Sequence, residues 1–320
     1  MQIPRLLANV FTLLALLALS VPAHARQNAG FRFVEGDGWR DLYFGDKAVY
    51  RYIAPKHDPA NHDATLKPFV HVYGFNGEGF ITKGAGGMET HHRGIFLGFN
   101  TQLGNFWACK DCWQQHVKYL DERKSVSADS ARLAAVTEWI TKDGKPVVRD
   151  TLKVAARQIA PGRIQLDFDV TLESLAGEVD LGGDPHHGGF HFRAAEEVQG
   201  PATTKPSIRA GLATYIRPPE AKLDKDDKWL DTNWAACLFS IKGNPYVVVE
   251  MNDPSNPKPV TFSTRPYGRF GVFFTYKLVE GKPLRLRYRI LILDGEQFPK
   301  PNAEAFAPMY AEFEAWAARP

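Results

Sequence analysis

The chain is poor in cysteine, in charge bias and in long apolar runs. Three cysteines among 320 residues, Cys109, Cys112 and Cys237, are too few for a disulfide-built scaffold, and an odd number leaves one thiol over. Lys and Arg number 39 against 36 Asp and Glu, a net charge of +3. Both signs are scattered, which excludes the clustered basic footprint of a nucleic-acid binder. Several motifs are absent: a G-x-S-x-G elbow, a phosphate loop, a dinucleotide fingerprint, H-E-x-x-H, and an H-x-H with a glutamate at cupin-like spacing. The βαβ rhythm of a doubly wound fold is missing too.

The one apolar run lies at the start, from Leu6 to Val21 of MQIPRLLANVFTLLALLALSVPAHA. Arg5 precedes it, and Ala23-His24-Ala25 follows with small-x-small spacing. This predicts a secretory signal peptide over residues 1–25, cleaved after Ala25. A retained membrane anchor is disfavoured, because the run falls short of the ~20 residues a span needs. The expectation is one β-sandwich domain over residues 26–320, periplasmic or secreted, with no membrane span after cleavage.

What is present reads as strand. RLAAVTEWIT, KDGKP and VVRDTLKVAARQ make a hairpin about Asp143-Gly144. In IQLDFDV, Ile164, Leu166, Phe168 and Val170 alternate with Gln165, Asp167 and Asp169, so one face is expected packed and the other wet. Near the C-terminus Leu284, Leu286, Tyr288, Ile290 and Ile292 share one face, while Arg285, Arg287 and Arg289 share the other. The fold class expected is all-β, a large antiparallel β-sandwich with a C-terminal helix packed outside. That helix is carried by Phe306, Tyr310, Phe313 and Ala317 at helical spacing. Pro308 is awkward in its interior, so the regular part is expected to start there. Residues 199–233 read as long loops.

Ten histidines occur, and five lie in two short windows, THHRGIFLGFN and DPHHGGFHFR. In the second, strand alternation places His187, Gly189, His191 and Arg193 on one side, with Phe190 and Phe192 on the other. In the first, one of His91 and His92 is expected inside and hydrogen-bonded, the other facing a shared cleft. A single histidine at a strand end is usually structural, but two pairs, each followed by an arginine, form a pattern. Imidazole serves as acid or base near neutral pH, and guanidinium grips oxyanions with two prongs. His91, His92, His187 and His191 are therefore the catalytic candidates, with Arg93 and Arg193 to hold substrate. A third stretch, RPYGRFGVFF, adds Arg265, Tyr267 and Arg269 at a strand mouth. Trp107, Trp113, Trp229 and Trp234 are candidates for stacking on a sugar.

No cofactor is expected. A divalent metal stays open as an alternative, held by His92, His187 and His191 with Asp184 or Glu89 nearby. For CKDCWQQH three readings stand: a Cys109–Cys112 disulfide, plain thiols, or a zinc site of Cys109, Cys112, His116 and Cys237.

KPFVHVYG, THHRGIFLGFN, NFW, HHGGFHFR, DPSNP, RPYGRFGVFF and PLRLRYRILI occur in this order. Together they resemble a bacterial family labelled "methane oxygenase PmoA-like", with His71, His91, His92, Arg93, Tyr267, Gly268 and Arg269 on its recurrent pattern. The CKDC segment is an addition to that pattern. The resemblance implies an exported β-rich protein from a family found near carbohydrate-degrading genes. It also implies His71, Tyr267 and Arg269 as substrate contacts. More distantly the layout is similar to the β-sandwich of galactose mutarotases and polysaccharide lyases, where histidines and an arginine handle sugar hydroxyls and ring protons. The function expected is an exported carbohydrate-active enzyme acting on a sugar or polysaccharide fragment by histidine acid/base chemistry: glycosidic cleavage, elimination or epimerisation. The alternatives are a non-catalytic periplasmic carbohydrate-binding protein and a metal-dependent oxygenase.

Overall fold

Alternating strands must bury one face each, and here they do so against each other. The computed structural model describes residues 30–120, 125–127, 129–200 and 211–319; the expected leader, residues 1–25, lies outside them. Ten strands form one antiparallel sheet, in the order Phe31–Gly36, Trp39–Phe44, Lys47–Ile53, Phe69–Val72, Ile95–Gly98, Gly189–Arg193, Arg269–Phe273, Thr261–Arg265, Lys228–Leu230 and Lys222–Leu223. Eight form the other: Thr214–Ile216, Trp234–Ile241, Asn244–Asn252, Leu284–Asp294, Arg163–Ser174, Pro146–Ala160, Ser130–Ile140 and Trp113–Tyr119. The fold is an all-β sandwich with one helix at the C-terminus.

The core between the sheets joins Val70, Leu97, Phe190, Phe192 and Val272 of one to Leu166, Phe168, Val248, Tyr288 and Ile290 of the other. Phe190 spans the gap, with its ring 5.0 Å from Phe168 and stacked 4.2 Å from Tyr288. Each such side chain contributes roughly 1.5–3 kcal/mol of burial. The 143–144 hairpin forms as expected, and so does the Leu284–Ile292 alternation.

The wet face expected of Gln165 and Asp167 is instead buried, each residue 2% exposed. The cause is the C-terminal helix, which packs Phe306, Phe313 and Ala317 on Val247, Val249, Leu291 and Leu293. Under this cover Arg289 donates to both oxygens of Asp167, at 2.6 and 3.2 Å. The helix begins at Ala303, before Pro308, because Asn302 caps it by accepting from Ala305 N at 3.1 Å. Pro308 sits inside, forfeiting one backbone bond. The expected loop 199–233 also carries three short strands, Thr214–Ile216, Lys222–Leu223 and Lys228–Leu230, two of which extend the sheets by pairing with Trp234–Ile241 and Thr261–Arg265. Residues 201–210 lie outside the described residues. Among the described residues no helix is long and apolar enough to cross a membrane.

Candidate functional site

The outer face of the ten-stranded sheet carries the site. Phe190, Phe192, Phe270 and Val272 point to the core, so His191, Arg193, Arg269 and Gly271 take the opposite side. Registers place Arg193 across from Arg269 and His191 across from Gly271. A Cβ at position 271 would lie 2.6 Å from Cγ of His191, so only glycine leaves room for that imidazole.

Arg269 organises what lies beneath the surface. Its Nη1 donates to Nδ1 of His191 at 3.1 Å and to Oγ of Ser263 at 3.1 Å; its Nη2 donates to Nδ1 of His186 at 2.9 Å. Guanidinium has no lone pair to offer, so both imidazoles accept at Nδ1 and carry their proton on Nε2. His191 passes that proton's bond to Gly188 O at 2.8 Å, and His186 to Oδ2 of Asp226 at 3.1 Å. Arg265 clamps Asp226 from outside at 2.8 and 3.2 Å. That clamp pulls the Asp226 carboxyl down to about 2. Burial, then the Arg269 charge, pushes His186 down to about 4 and His191 well below its ordinary range. Both rings are neutral spacers, fixed in tautomer and orientation.

The two histidine windows do meet. Trp107, fully buried, lies edge-on to His191 at 4.5 Å and to His92 at 6.2 Å. His92 also faces Tyr267 at 6.3 Å and His91 at 4.4 Å. One inward, hydrogen-bonded member of the pair is expected; His92 is the inward one, but among the described residues neither of its ring nitrogens has a hydrogen-bond partner. His91 is partly exposed; burial, then the Lys67, His187, Lys83 and Arg269 charges, lowers it to about 4.

Three assignments need correction. His187 is exposed and lies in the turn before the strand, its Nδ1 bonded to Oδ2 of Asp184 at 2.8 Å. Gly189, at φ 95°, breaks the alternation, so His186 turns inward in its place. Arg93 is fully buried and donates to the carbonyls of Thr90 at 3.3 Å, Ala64 at 3.0 Å and Asp63. It ties two loops together and has no free edge aimed at substrate. His71 shares a 2.6 Å hydrogen bond with Oγ1 of Thr82 and stacks 3.6 Å from Phe80, so its ring holds the Thr82 segment against the strand.

The metal trio is not assembled either. Both His191 nitrogens are engaged, His187 Nδ1 is bonded to Asp184, and among the described residues no group of three or more His, Cys, Asp or Glu is placed to hold a metal. The zinc reading of the cysteines also fails, because Cys237 lies in the core strand Trp234–Ile241, across from Tyr215. Cys109 and Cys112 are buried free thiols in mutual contact. Burial raises the Cys109 thiol, but the bond from Cys112 and the Lys67 and Arg93 charges outweigh it and leave a net lowering. Of the tryptophans, Trp107 and Trp234 are buried, Trp229 lies under Arg217 at 3.9 Å, and Trp113 stacks on His57.

Arg193 behaves differently from Arg93. Its Nη1 donates to the carbonyls of Ala194, at 2.8 Å, and Tyr267, and its guanidinium carbon lies 4.9 Å over the half-buried Tyr267 ring. Among the described residues its Nε and Nη2 have no partner, and neither do Nε of Arg269 and Nε1 of Trp107. Lys67 is a member that the sequence did not signal. It is fully buried 4.0 Å from the Phe96 ring, donates to Trp107 O, and burial lowers it to about 8. Lys83 is lowered to about 8 for the same reason, with exposed Glu196 at 3.7 Å. Among the described residues Lys67, Arg93, Arg193 and Arg269 form no ion pair with a carboxylate. The face is positive and rich in unsatisfied donors, and it holds neutral imidazoles at its rim and floor.

A family model, "Family of unknown function (DUF6807)", matches residues 40–307. The chain belongs to this family. No curated protein matches it. The DUF6807 chain is similar to the heparan sulfate lyase HepC from Pedobacter heparinus at 10% identity and TM-score 0.34, over 84% of this chain and 36% of that one. It is similar to a putative kojibiose phosphorylase from the human microbiome at 9% identity and TM-score 0.33, over 89% of this chain and 33% of that one. The chain thus spans about a third of the length of these proteins, and at such values no activity transfers to it.

Proposed function

We propose that this DUF6807 protein binds an acidic sugar on the outer face of its ten-stranded sheet and moves a proton on it by histidine acid/base chemistry. The observation that carries this is the set of buried donors without acceptors among the described residues: Nε and Nη2 of Arg193 and Nε of Arg269, on cations that no described carboxylate pairs with. Buried polar groups are normally paired, and a carboxylate or sulfate oxygen would satisfy these donors. His91, partly exposed and neutral above about pH 4, is the base within this field. Tyr267, lying over Arg193, gives the sugar an aromatic wall.

The same composition selects among reactions. Glycosidic hydrolysis ordinarily uses two carboxylates flanking the bond. Two acids at this rim are committed, Asp226 to Arg265 and His186, Asp184 to His187. Abstraction of a proton beside a carboxylate needs a neutral base and cations to hold the developing oxyanion, which is what this face offers. Elimination and epimerisation are therefore favoured over hydrolysis. The proposal includes export through the 1–25 leader, to be checked by the intact mass of the mature protein, and the PmoA-like and galactose-mutarotase-like kinships.

The test is proton NMR in heavy water with uronic-acid monosaccharides and oligosaccharides. Loss of a ring C–H signal, or a new unsaturated product, is expected with the native protein and absent in His91→Ala. A second reading is a non-catalytic sugar binder, favoured by the fixed tautomers of His186 and His191, which serve Arg269 rather than a substrate. It predicts ligand-dependent thermal stabilisation without exchange. Neither stabilisation nor exchange with any acidic sugar would overturn both.

A further inference from the structure

Away from that face lies an open cleft of about 570 Å3, bordered by Lys56, His57, His62, Lys110, Trp113 and Lys142. Three exposed lysines there face a single carboxylate, Asp111, and none of the three forms an ion pair among the described residues. His57 stacks on Trp113 at 4.1 Å with the rings nearly parallel, at 8°. A hydrogen-bond chain fixes its tautomer. Cys109 O can only accept, so Nε2 of His62 donates to it at 2.5 Å. Nδ1 of His62 must then accept, from Nε2 of His57 at 2.9 Å. Nδ1 of His57 is left as an acceptor, and burial together with His62 holds the ring neutral by lowering it. The cleft thus combines ammonium groups for anions, an aromatic wall for the apolar face of a ring, and an imidazole acceptor for a hydroxyl.

The cleft does not end there. Asp111 and Lys142 also line a second open cleft of about 670 Å3, which continues past Gln102, Asn105 and Thr141. A groove of this length suits several linked units better than one. The loop that forms its wall, Asn105 to Trp113, also carries Trp107 into the histidine face.

We propose that this groove is a second binding site, for a linear acidic saccharide chain whose carboxylate or sulfate groups pair with Lys56, Lys110 and Lys142. The identity of the ligand rests on the acidic-sugar reading above; the site itself does not. Calorimetric titration of the full chain with an oligouronate hexamer tests it, alongside a neutral hexamer, a sulfated hexamer and single-stranded DNA of similar charge. Lys56→Glu with Lys142→Glu is expected to weaken the acidic hexamer by about tenfold or more and to leave a monouronate unchanged. Both substitutions lie at exposed positions, and a matching urea midpoint shows that the variant is folded. Relative strengths of the carboxylated and sulfated hexamers tell which anion the groove takes. Undiminished binding by the lysine variant, equal binding of the neutral hexamer, tighter binding of DNA, or no binding by the native chain overturns the groove. Arg193→Gln separates the two readings. Loss with that variant alone keeps the sheet-face site and removes the groove, and loss with the lysine variant alone does the reverse.

Discussion

Both sheets of the sandwich bury arginines on their outer faces, and Arg289 on one is treated in the opposite way from Arg193 and Arg269 on the other, whereas Arg51 of the ten-stranded sheet is itself paired, with both oxygens of Asp41 at 2.7 Å. On the eight-stranded sheet Arg289 is 3% exposed in its side chain and meets Asp167, on the neighbouring strand, through two hydrogen bonds. Arg285, which is exposed, also pairs with Asp169, at 3.0 and 2.7 Å, and the C-terminal helix closes over Arg289. On the ten-stranded sheet Arg193 and Arg269 are each 1% exposed. They meet carbonyls, imidazoles and a serine, and keep donors over. Removing a charge from water costs several kcal/mol unless a partner offsets it. The first face offsets that cost locally, as architecture does. The second leaves it to the rest of the fold, as binding sites commonly do.

The comparison breaks most easily at its neutral side. Asp167→Asn removes the buried carboxylate of Arg289 and leaves it only the exposed Glu312, at 3.4 Å, and breaking a buried pair costs about 3–5 kcal/mol. Urea denaturation should show that loss in full. Arg193→Gln should shift the same midpoint by less than about 1 kcal/mol, since the cation it removes had no countercharge. Equal losses in the two variants would show that the faces are alike.

Lys67 gives the next effect, with a pH signature. A lysine lowered from 10.5 to about 8 by burial binds its proton less readily folded than unfolded. Its cost is present in full below pH 8 and is relieved as pH rises from 8 towards 10.5. At 1.36 kcal/mol per pH unit that is on the order of 3 kcal/mol. Lys67→Met should therefore be more stable than the native chain at pH 7, with the advantage shrinking above pH 8. A constant difference across pH would remove Lys67 from the charged face.

These faces were unequally legible. His191 and Arg193 could be placed because they alternate with Phe190 and Phe192, and Leu284 to Ile292 declared its core side in the same way. Which histidine of the 186–187 pair turns inward was not readable, because Gly188 and Gly189 free the backbone from the strand's phase. Arg93 reads like Arg193 in sequence; only carbonyls from residues 63 and 64, some thirty positions earlier, reveal it as a tie. Gln165 and Asp167 look like a solvent face until a helix more than a hundred residues later covers them. Lys67 carries no pattern at all, since no local rule marks a lysine for burial. Alternation reports the side of a sheet, whereas cover and countercharge come from distant segments.

Binding sharpens the comparison further. Arg193→Gln removes two unpartnered donors and a charge, and charge-assisted hydrogen bonds contribute about 1.5–3 kcal/mol. Affinity for an acidic monosaccharide, measured by calorimetry, should fall roughly 10- to 100-fold. Asp167→Asn, assayed where it remains folded, should bind normally. A variant pair that lost affinity equally would mean that binding depends on overall stability rather than on the positive face.

The smallest effect is also the most specific to chemistry. An ordinary histidine base would lose activity below about pH 6.5. His91 is held to about 4 by burial and by the surrounding cations, so kcat/KM, which reports the free protein, should stay level down to about pH 5 and fall only near 4. A bound carboxylate cancels part of the positive field and favours the imidazolium. The limb in kcat should therefore lie at higher pH than the limb in kcat/KM. A metal-free binder with no base would show neither limb in turnover, and a base outside this field would show both near 6.5. The separation between the two limbs measures how much of the field the substrate neutralises, and it should narrow in Lys67→Met, where part of that field is already gone.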